Sequence, residues 1–454
     1  MSIEKKMILL ALTAGASSLC AIAPATAQTA AGSAQPAAEA DVAARLQDQI
    51  TALQQQIDAL KAQMGKATPS WKGAPLVENK ESGWSFKPRG RIQYDAAWVD
   101  RPAGSADPGL GFSNEARRLR LGVEGSIPGG FGYKFEVDLA DNEVDVTDAI
   151  LTYEAAPGLG LSFGQHNNFQ SLEELTSSRF SSFIERAAFT DAFNFERRVG
   201  VSATYGAGDF LLSGGVFTDN ITDLANSGDG TGLGDENNSL SFDGRAVYLP
   251  KIGKTQLHLG ASAHLRDNGD TNENGVTTRY RQRPLVHTTN SRFLATPALD
   301  VEKETHYGLE AAAIRGPLHF ASEVHWLDAD RADGAPTASL FGGYAEVGYF
   351  ITGETRGYKA GQFDRTKVLK PVGDGGVGAL QLNLRYDYLD LNDDLLRGGK
   401  QSGYQASLIW IPQDYVRFML NYARLSYEDA AIAATGGDRD YAIDVIGARA
   451  QVDF

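Results

Sequence analysis

The sequence predicts an all-β transmembrane protein, an antiparallel outer-membrane β-barrel of about sixteen strands preceded by a short N-terminal coiled-coil helix. Three observations predict it. From residue 88 to Phe454 the chain breaks into short stretches in which apolar and polar side chains alternate. That is the period of a strand with lipid on one face and water on the other. The connections also alternate in length. "PGG" (128–130), "GAG" (206–208), "PKIGK" (250–254), "RGP" (315–317) and "PQ" (412–413) are short, whereas 100–115, 166–196, 219–240, 267–304 and 428–440 are long and polar. Two connections break that rule: 140–143 is short where a long one is due, and 353–376 is long where a short one is due. Finally, Trp98, Tyr153, Tyr205, Tyr248, Trp326, Trp410 and Tyr441 fall at strand ends, where aromatic belts meet a membrane interface.

The elements before the barrel follow from composition. Lys5 and Lys6, the apolar run "MILLALTAGASSLCAIA" and "ATA" at 25–27 predict a signal peptide over 1–27. Cys20 is the only cysteine and would leave with it, which excludes disulfides, Cys-ligated metals and a Cys nucleophile. Loss of Glu4, Lys5 and Lys6 takes the net charge from −15 to −16, a poor balance for nucleic acid. Residues 28–40 read as an Ala-rich linker. Over 41–65, Leu46, Ile50, Leu53, Ile57, Leu60 and Met64 recur at alternating spacings of four and three, a heptad seam. A lone helix of this length is marginal in water, so the seam predicts self-association; packing on its own barrel is the alternative. Residues 66–87, with Pro69, Pro75 and Gly83, read as a tether to a barrel spanning 88–454.

Within the barrel, parity assigns the faces. Ile92, Tyr94, Ala96 and Trp98 share one side, as do Phe131, Tyr133, Phe135, Val137 and Leu139 opposite Lys134, Glu136 and Asp138. Ile446, Ala448, Ala450, Val452 and Phe454 close the chain opposite Arg449, Gln451 and Asp453. A soluble all-β protein would show the same alternation with the apolar face inward. The two differ in closure, aromatic girdles and the terminal residue, and the aromatics at strand ends suit the membrane. A barrel this wide encloses water, so its inner face must be polar.

Two arginine clusters stand on that inner face. In "NEARRLRLGVEGSI" (114–127), Arg118 and Arg120 point inward by parity, and Arg91 joins them from the first strand. Arg117 shares parity with the lipid-facing leucines, so it must sit at an interface or at a distortion of the strand. In "TTRYRQRPLVH", Arg279, Arg281 and Arg283 recur with period two and share one face of an extended chain. Arginine suits phosphate because its planar fork donates two parallel hydrogen bonds and keeps its charge. A row of such groups passes an anion from site to site. The alternative is the solvated charged face of any water-filled pore, and Asp95, Glu124, Glu136, Asp138, Glu154 and Asp387 oppose the arginines.

Other chemistry finds no motif. There is no Walker loop, nucleophile elbow or CxxC. "DTNENG" (270–275) opens like a calcium loop, but its twelfth position is Arg281. The seven histidines form no HExxH and no close ligand pair in the sequence, and His319 and His325 lie too far apart on one strand for one metal. No catalytic residue, metal or cofactor is expected, and the chain does not read as an enzyme.

The stretches "EARRLRLGVEGSIPGGFGYKFEVDLADNEVDVTDAILTYE", "LSFGQHNNFQSLEELTSSRFSSFIERAAFTDAFN", "RYRQRPLVHTTNSRFLATP" and the terminal "RAQVDF" resemble the phosphate-selective porin O and P family over nearly all of the chain after residue 85. The resemblance implies a sixteen-stranded barrel, a homotrimer, and a pore constricted by inward-folded loops and lined by arginines and lysines that pass phosphate or related anions. It also implies a constriction role for Arg179 and Arg186; an ion pair with Glu173, Glu174 or Glu185 is the structural alternative. Phe454 resembles the signal read by outer-membrane assembly machinery.

The expected function is a diffusion channel in the outer membrane of a Gram-negative bacterium. It would prefer anions, phosphate or pyrophosphate, along Arg91, Arg117, Arg118, Arg120, Arg279, Arg281 and Arg283. Its coiled coil would lie in the periplasm, and its partners would be membrane lipid, small anions and its own copies. The rival readings are a general or cation-tolerant porin and, in another class, a secreted soluble β-protein or outer-membrane enzyme.

Overall fold

A computed structural model describes residues 44–58, 70–71, 73–104, 109–140, 143–223, 239–269, 277–394 and 396–454. The expected signal peptide, the Ala-rich linker and the calcium-like stretch at 270–275 lie outside these residues. The chain divides into two units at Gly65 and Lys66. In the first, residues 44–58 form a helix on which Leu46, Ile50, Leu53 and Ile57 are all exposed. Leu60 and Met64 of the seam lie outside the described residues. No helix among the described residues is long and apolar enough to cross a membrane.

The second unit is a closed antiparallel barrel. Its sixteen strands, among the described residues, run in chain order. They are β1 (Trp84–Val99), β2 (Gly111–Ile127), β3 (Phe131–Asp138), β4 (Asp145–Ala156), β5 (Leu159–Asn167), β6 (Arg197–Ala207), β7 (Phe210–Phe217) and β8 (Leu240–Tyr248). The second half comprises β9 (Thr255–Asp267), β10 (Val301–Arg315), β11 (Leu318–Arg331), β12 (Ala338–Phe350), β13 (Ala379–Asp393), β14 (Leu396–Gln413), β15 (Val416–Glu428) and β16 (Tyr441–Asp453). Each strand pairs with the next, and β16 returns to β1 with Arg449 opposite Asp95. Closure leaves no free sheet edge.

The first strand corrects the expected boundary. β1 starts at Trp84, inside the stretch read as a tether, and Pro75–Asn79 pairs with it through Val77 opposite Phe86. Pro75, which suggested a linker, thus opens a short strand, and Gly83 lies in the turn after it. The end that carries the termini has short turns, as the sequence predicts, and the connection over 139–144 is short as read. Two further connections at the opposite end, 332–337 and 394–395, are also short.

Burial runs opposite to that of a water-soluble sandwich. Trp98 is 54% exposed and Leu121 52%, whereas Arg449 is 2% exposed and Asp387 0%. Leaving a leucine- or phenylalanine-sized side chain in water forfeits roughly 1.5–3 kcal/mol, so this outer surface requires lipid. Aromatic pairs mark its rims: Phe131 stacks on Tyr153 and Phe210 on Tyr248, each with ring centres 4.8 Å apart.

Three connections fold into the bore and bury its polar lining. Residues 168–196 enter from the long-loop end and carry two short helices, Leu172–Leu175 and Ala188–Ala192. The wall holds them largely by backbone. Arg417 donates to the carbonyls of Arg179 (2.9 Å) and Ser181 (2.5 Å), Arg449 to that of Ile184 (2.6 Å), and Ser407 to that of Ser182 (2.6 Å). The Glu323 carboxylate caps the first helix, accepting from the amides of Leu172 and Glu173 at 2.9 and 2.7 Å; an anion there satisfies orphan N–H groups. Residues 277–300 also fold inward, with a small hairpin pairing Arg281–Gln282 and Leu294–Ala295. The anomalous long connection, 351–378, enters from the terminus end. Its hairpin, Gly357–Lys359 with Gln362–Asp364, is held by Arg245 on the Gly361 carbonyl (3.0 Å) and by Tyr358 against His258 (2.5 Å). The Phe363 amide reaches the Thr176 hydroxyl at 3.3 Å, so segments from the two ends meet.

Candidate functional site: the arginine-lined bore

The opening arginine cluster owes its geometry to a β-bulge. Gln93 on β1 pairs with Arg118 on β2, but the next residue, Tyr94, pairs with Ala116. Arg117 is the extra residue. A bulge re-aims a side chain, and here it turns Arg117 inward onto Glu185, at 3.0 and 3.3 Å. The parity conflict in the sequence is therefore resolved by distortion of the strand. Burial alone would raise the Glu185 carboxyl, yet Arg117, Arg449 and Arg118 together hold it well below the usual carboxylate range.

The neighbouring arginines face the lumen as parity predicts. Arg120 donates to Asp138 at 2.7 Å and lies 3.3 Å from Glu136. Arg91 pairs directly opposite Arg120, an arrangement of like charges that costs stability on its own. Glu136 relieves it from 3.9 Å, and the Ser178 hydroxyl accepts from Arg91 at 2.7 Å. Arg118 donates to Gln93 at 2.9 Å and forms no ion pair among the described residues.

These groups border a cavity of about 480 Å³. Among the described residues its lining carries nine cations, Arg89, Arg91, Arg118, Arg120, Lys134, Arg179, Arg186, Arg197 and Arg245, against three carboxylates, Glu136, Asp148 and Glu174. Arg118, Glu174 and Arg186 also line an adjoining cavity of about 200 Å³ that holds Arg117, Glu185, Asp191 and Arg283. Sequence reasoning had not singled out Arg89, Arg197 and Arg245. Parity could have found Arg89, two residues before Arg91, and Arg245, two residues after Asp243 on β8. Arg197 carries no such signal: it pairs with Asp148, 49 residues earlier, at 3.0 Å.

The second predicted cluster is divided. Arg279 and Arg281 are exposed, with Tyr280 and Gln282 buried between and beside them. They line a third cavity, of about 370 Å³, together with Arg198 and Arg266. Arg283 turns to the second cavity, donates to Asn290 at 2.9 Å and approaches Asp191 at 3.7 Å. The predicted common face of the three therefore does not form. In the inward segment, Arg186 pairs with Glu174 at 2.9 Å and donates to three carbonyls. Arg179 approaches Asp453 at 3.6 Å instead of Glu173, Glu174 or Glu185.

Phe454 exchanges backbone hydrogen bonds with Gly90 at 3.0 Å. Its ring lies over that glycine so closely that a Cβ there would stand 2.2 Å from it.

The opposite wall is different. Arg245 and Glu310 form a bidentate pair at 2.6 and 2.9 Å. Arg385 lies between Glu346 (2.6 Å) and Glu173 (2.5 Å). Histidines absent as a pair in the sequence meet here: His264 on β9 and His306 on β10 are directly paired in register, and Glu304 joins them. The expectation of no close histidine pair fails because strand register brings together residues 42 positions apart.

Comparison with known proteins agrees with this geometry. The model of the family described as phosphate-selective porin O and P matches residues 86–454. An uncharacterised protein of Caulobacter vibrioides is 55% identical over 386 residues, covering 85% of this chain and 77% of that protein. Porin O of Pseudomonas aeruginosa is 24% identical over 415 residues, covering 81% and 89%. The solved structure of an anion-selective porin from Comamonas acidovorans superposes with a TM-score of 0.50 at 15% identity, over 82% of this chain and all of that one.

Proposed function

The chain belongs to the phosphate-selective porin O and P family, and on that premise we propose that its barrel is an outer-membrane diffusion channel with anion preference that takes up phosphate or pyrophosphate. The observation that carries this reading is the cavity bordered by nine cations and three carboxylates. In a narrow passage with low-dielectric walls the nearest charges set the potential. The −15 net charge of the whole chain therefore need not oppose anion entry. Arg118, with a glutamine partner and no ion pair among the described residues, offers N–H donors to phosphate oxygens. The cations are arrayed along the wall, which favours passage over capture.

The observation favouring a general pore is the pairing of cations in the bore, where Arg449, Arg385 and, at the cavity itself, Arg245 are each matched by carboxylates. The zero-current potential across a planar bilayer under a potassium chloride gradient decides between the two. An anion channel gives a potential of the sign set by chloride, and added phosphate lowers the chloride current. A potential near zero, unmoved by phosphate, sinks the phosphate reading.

Around this channel the reading has three further parts. The exposed seam at Leu46, Ile50, Leu53 and Ile57 supports a periplasmic coiled coil that helps hold a homotrimer. Phe454, on the lipid-side parity of β16, serves as the signal for the assembly machinery. Arg179 and Arg186, on the inward segment, border the passage at its constriction.

A further inference from the structure

On the wall facing away from the arginine cluster, we propose that His264, Glu304 and His306 bind one divalent transition-metal ion, zinc being the ion the donor set fits. The donor set comes first. One ligand atom from each of the three side chains lies within 4.8 Å of the others. In a tetrahedral site with bonds of about 2.0–2.1 Å, ligand atoms stand about 3.4 Å apart, so small side-chain rotations complete the closure. His264 and His306 are cross-strand neighbours, and Glu304 precedes His306 by two residues on the same face. Two imidazoles and a carboxylate form a borderline-hard set that suits zinc.

The surroundings prepare each donor. Asp243 Oδ1 lies 2.7 Å from His264 Nδ1, an outer carboxylate that fixes the ring and leaves Nε2 for the metal, as metal-bound histidines require. Tyr280 donates to Glu304 Oε1 at 2.5 Å, which leaves Oε2 available. His306 is 4% exposed, and neither of its ring nitrogens has a hydrogen-bond partner among the described residues. Buried polar atoms are nearly always satisfied, so this imidazole points to a ligand.

Of the four guanidiniums that line the same cavity and would repel a cation, Arg198 and Arg266 are engaged by carboxylates. Arg266 donates to Asp219 at 2.7 Å and lies 3.7 Å from Glu304; Arg198 pairs with Glu196 at 2.9 Å. The three donors also border the cavity of about 370 Å³, so a fourth coordination position faces open space. Arg279 and Arg281 line the same cavity, and an anion drawn between them could supply the fourth ligand.

The test uses the folded, untagged protein in detergent, stripped with a chelator and titrated with zinc, with cobalt as a spectroscopic stand-in. The expected result is one zinc per chain retained through gel filtration and a visible cobalt absorption of tetrahedral type. His264→Gln, His306→Gln and Glu304→Gln should each weaken zinc binding at least about tenfold, and Asp243→Asn by about 10- to 100-fold. His319→Gln, a buried histidine outside the site, should bind as wild type. Heat-modifiable gel migration identifies which variants are folded, and any one folded ligand variant suffices. Zinc retention by wild type no greater than by a folded ligand variant overturns the proposal. So does a cobalt spectrum identical in both. Arg118 does not touch this site, so such a failure leaves the anion-channel reading standing.

Discussion

Along β1–β4 the lumen face presents Arg89, Arg91, Arg118, Arg120 and Lys134 to the largest basic cavity. Across the bore, β8–β11 presents Asp243, Glu304, Glu310 and Glu323, interleaved with His258, His264, His306, His319 and His325, all buried. Cations on the second wall are matched nearly one for one, as Arg245 is by Glu310. On the first wall the partners are shared: Glu136 serves Arg89, Arg91 and Arg120, Asp148 serves both Lys134, at 2.6 Å, and Arg197 of β6, and Arg118 has only a glutamine. The comparison teaches that the sign of a pore is a local property. Two walls built on one strand alternation, in one acidic chain, differ in charge pairing because their carboxylates are distributed differently.

The most direct way to break the comparison is to invert the basic wall. Arg91→Glu combined with Arg118→Glu should turn the channel from anion- to cation-preferring, read as a change in sign of the zero-current potential. Arg118→Gln alone should lower the anion-over-cation ratio about fivefold, since one charge at about 4 Å in a water-like medium contributes about 1 kcal/mol. If the double variant keeps the wild-type potential, the cavity is not the permeation path.

A second variant tests stability. Arg449→Met leaves Asp95 and Glu185 facing each other without their shared guanidinium. Breaking a buried pair costs about 3–5 kcal/mol, so the temperature at which the barrel loses its folded gel mobility should fall clearly below wild type. Unchanged mobility would mean that the inward segment is held without it.

The paired wall sharpens the comparison with the opposite sign. Glu310→Gln frees Arg245 beside the cavity, and the anion preference should rise by a factor of two to five on the same Coulomb reasoning. A fall in preference would show that Arg245 lies outside the reach of permeating ions. The smallest effects should come from outside both walls. Ile50→Asp with Ile57→Asp should loosen the oligomer on heating and leave the potential unchanged. Arg439→Gln should move neither, because Arg439 donates to the Ala431 carbonyl at 2.9 Å in the last long loop and lines none of the three cavities.

What could be read in advance follows the same division. Strand parity is a local property, so Leu119 and Leu121 outward and Arg118 and Arg120 inward were legible from a few residues. Arg117 was legible as a conflict, although its partner Glu185 was not. The filling of the bore left almost no trace in the sequence. The wall grips the inward segment by the carbonyls of Arg179, Ser181, Ser182 and Ile184, and a backbone carbonyl has no residue signature. The meeting of His264 with His306 depends on register across a 33-residue connection (268–300), which alternation does not encode. The long connection at 351–378 stood out by length alone; its descent into the bore depends on contacts with Arg245 and His258, far away in the chain.

Arg449 ties two events into one. It sits on the last strand, clasps Asp95 on the first at 2.7 and 2.6 Å, and holds the Ile184 carbonyl and Glu185 of the inward segment with its remaining donors. The seam between β16 and β1 joins residues as far apart as Asp95 and Arg449, 354 positions, and so is costly in chain entropy to form early. Until that seam shuts, the segment over 168–196 lacks one of its anchors. Shutting the edge and seating the obstruction are thus one event, made by one guanidinium.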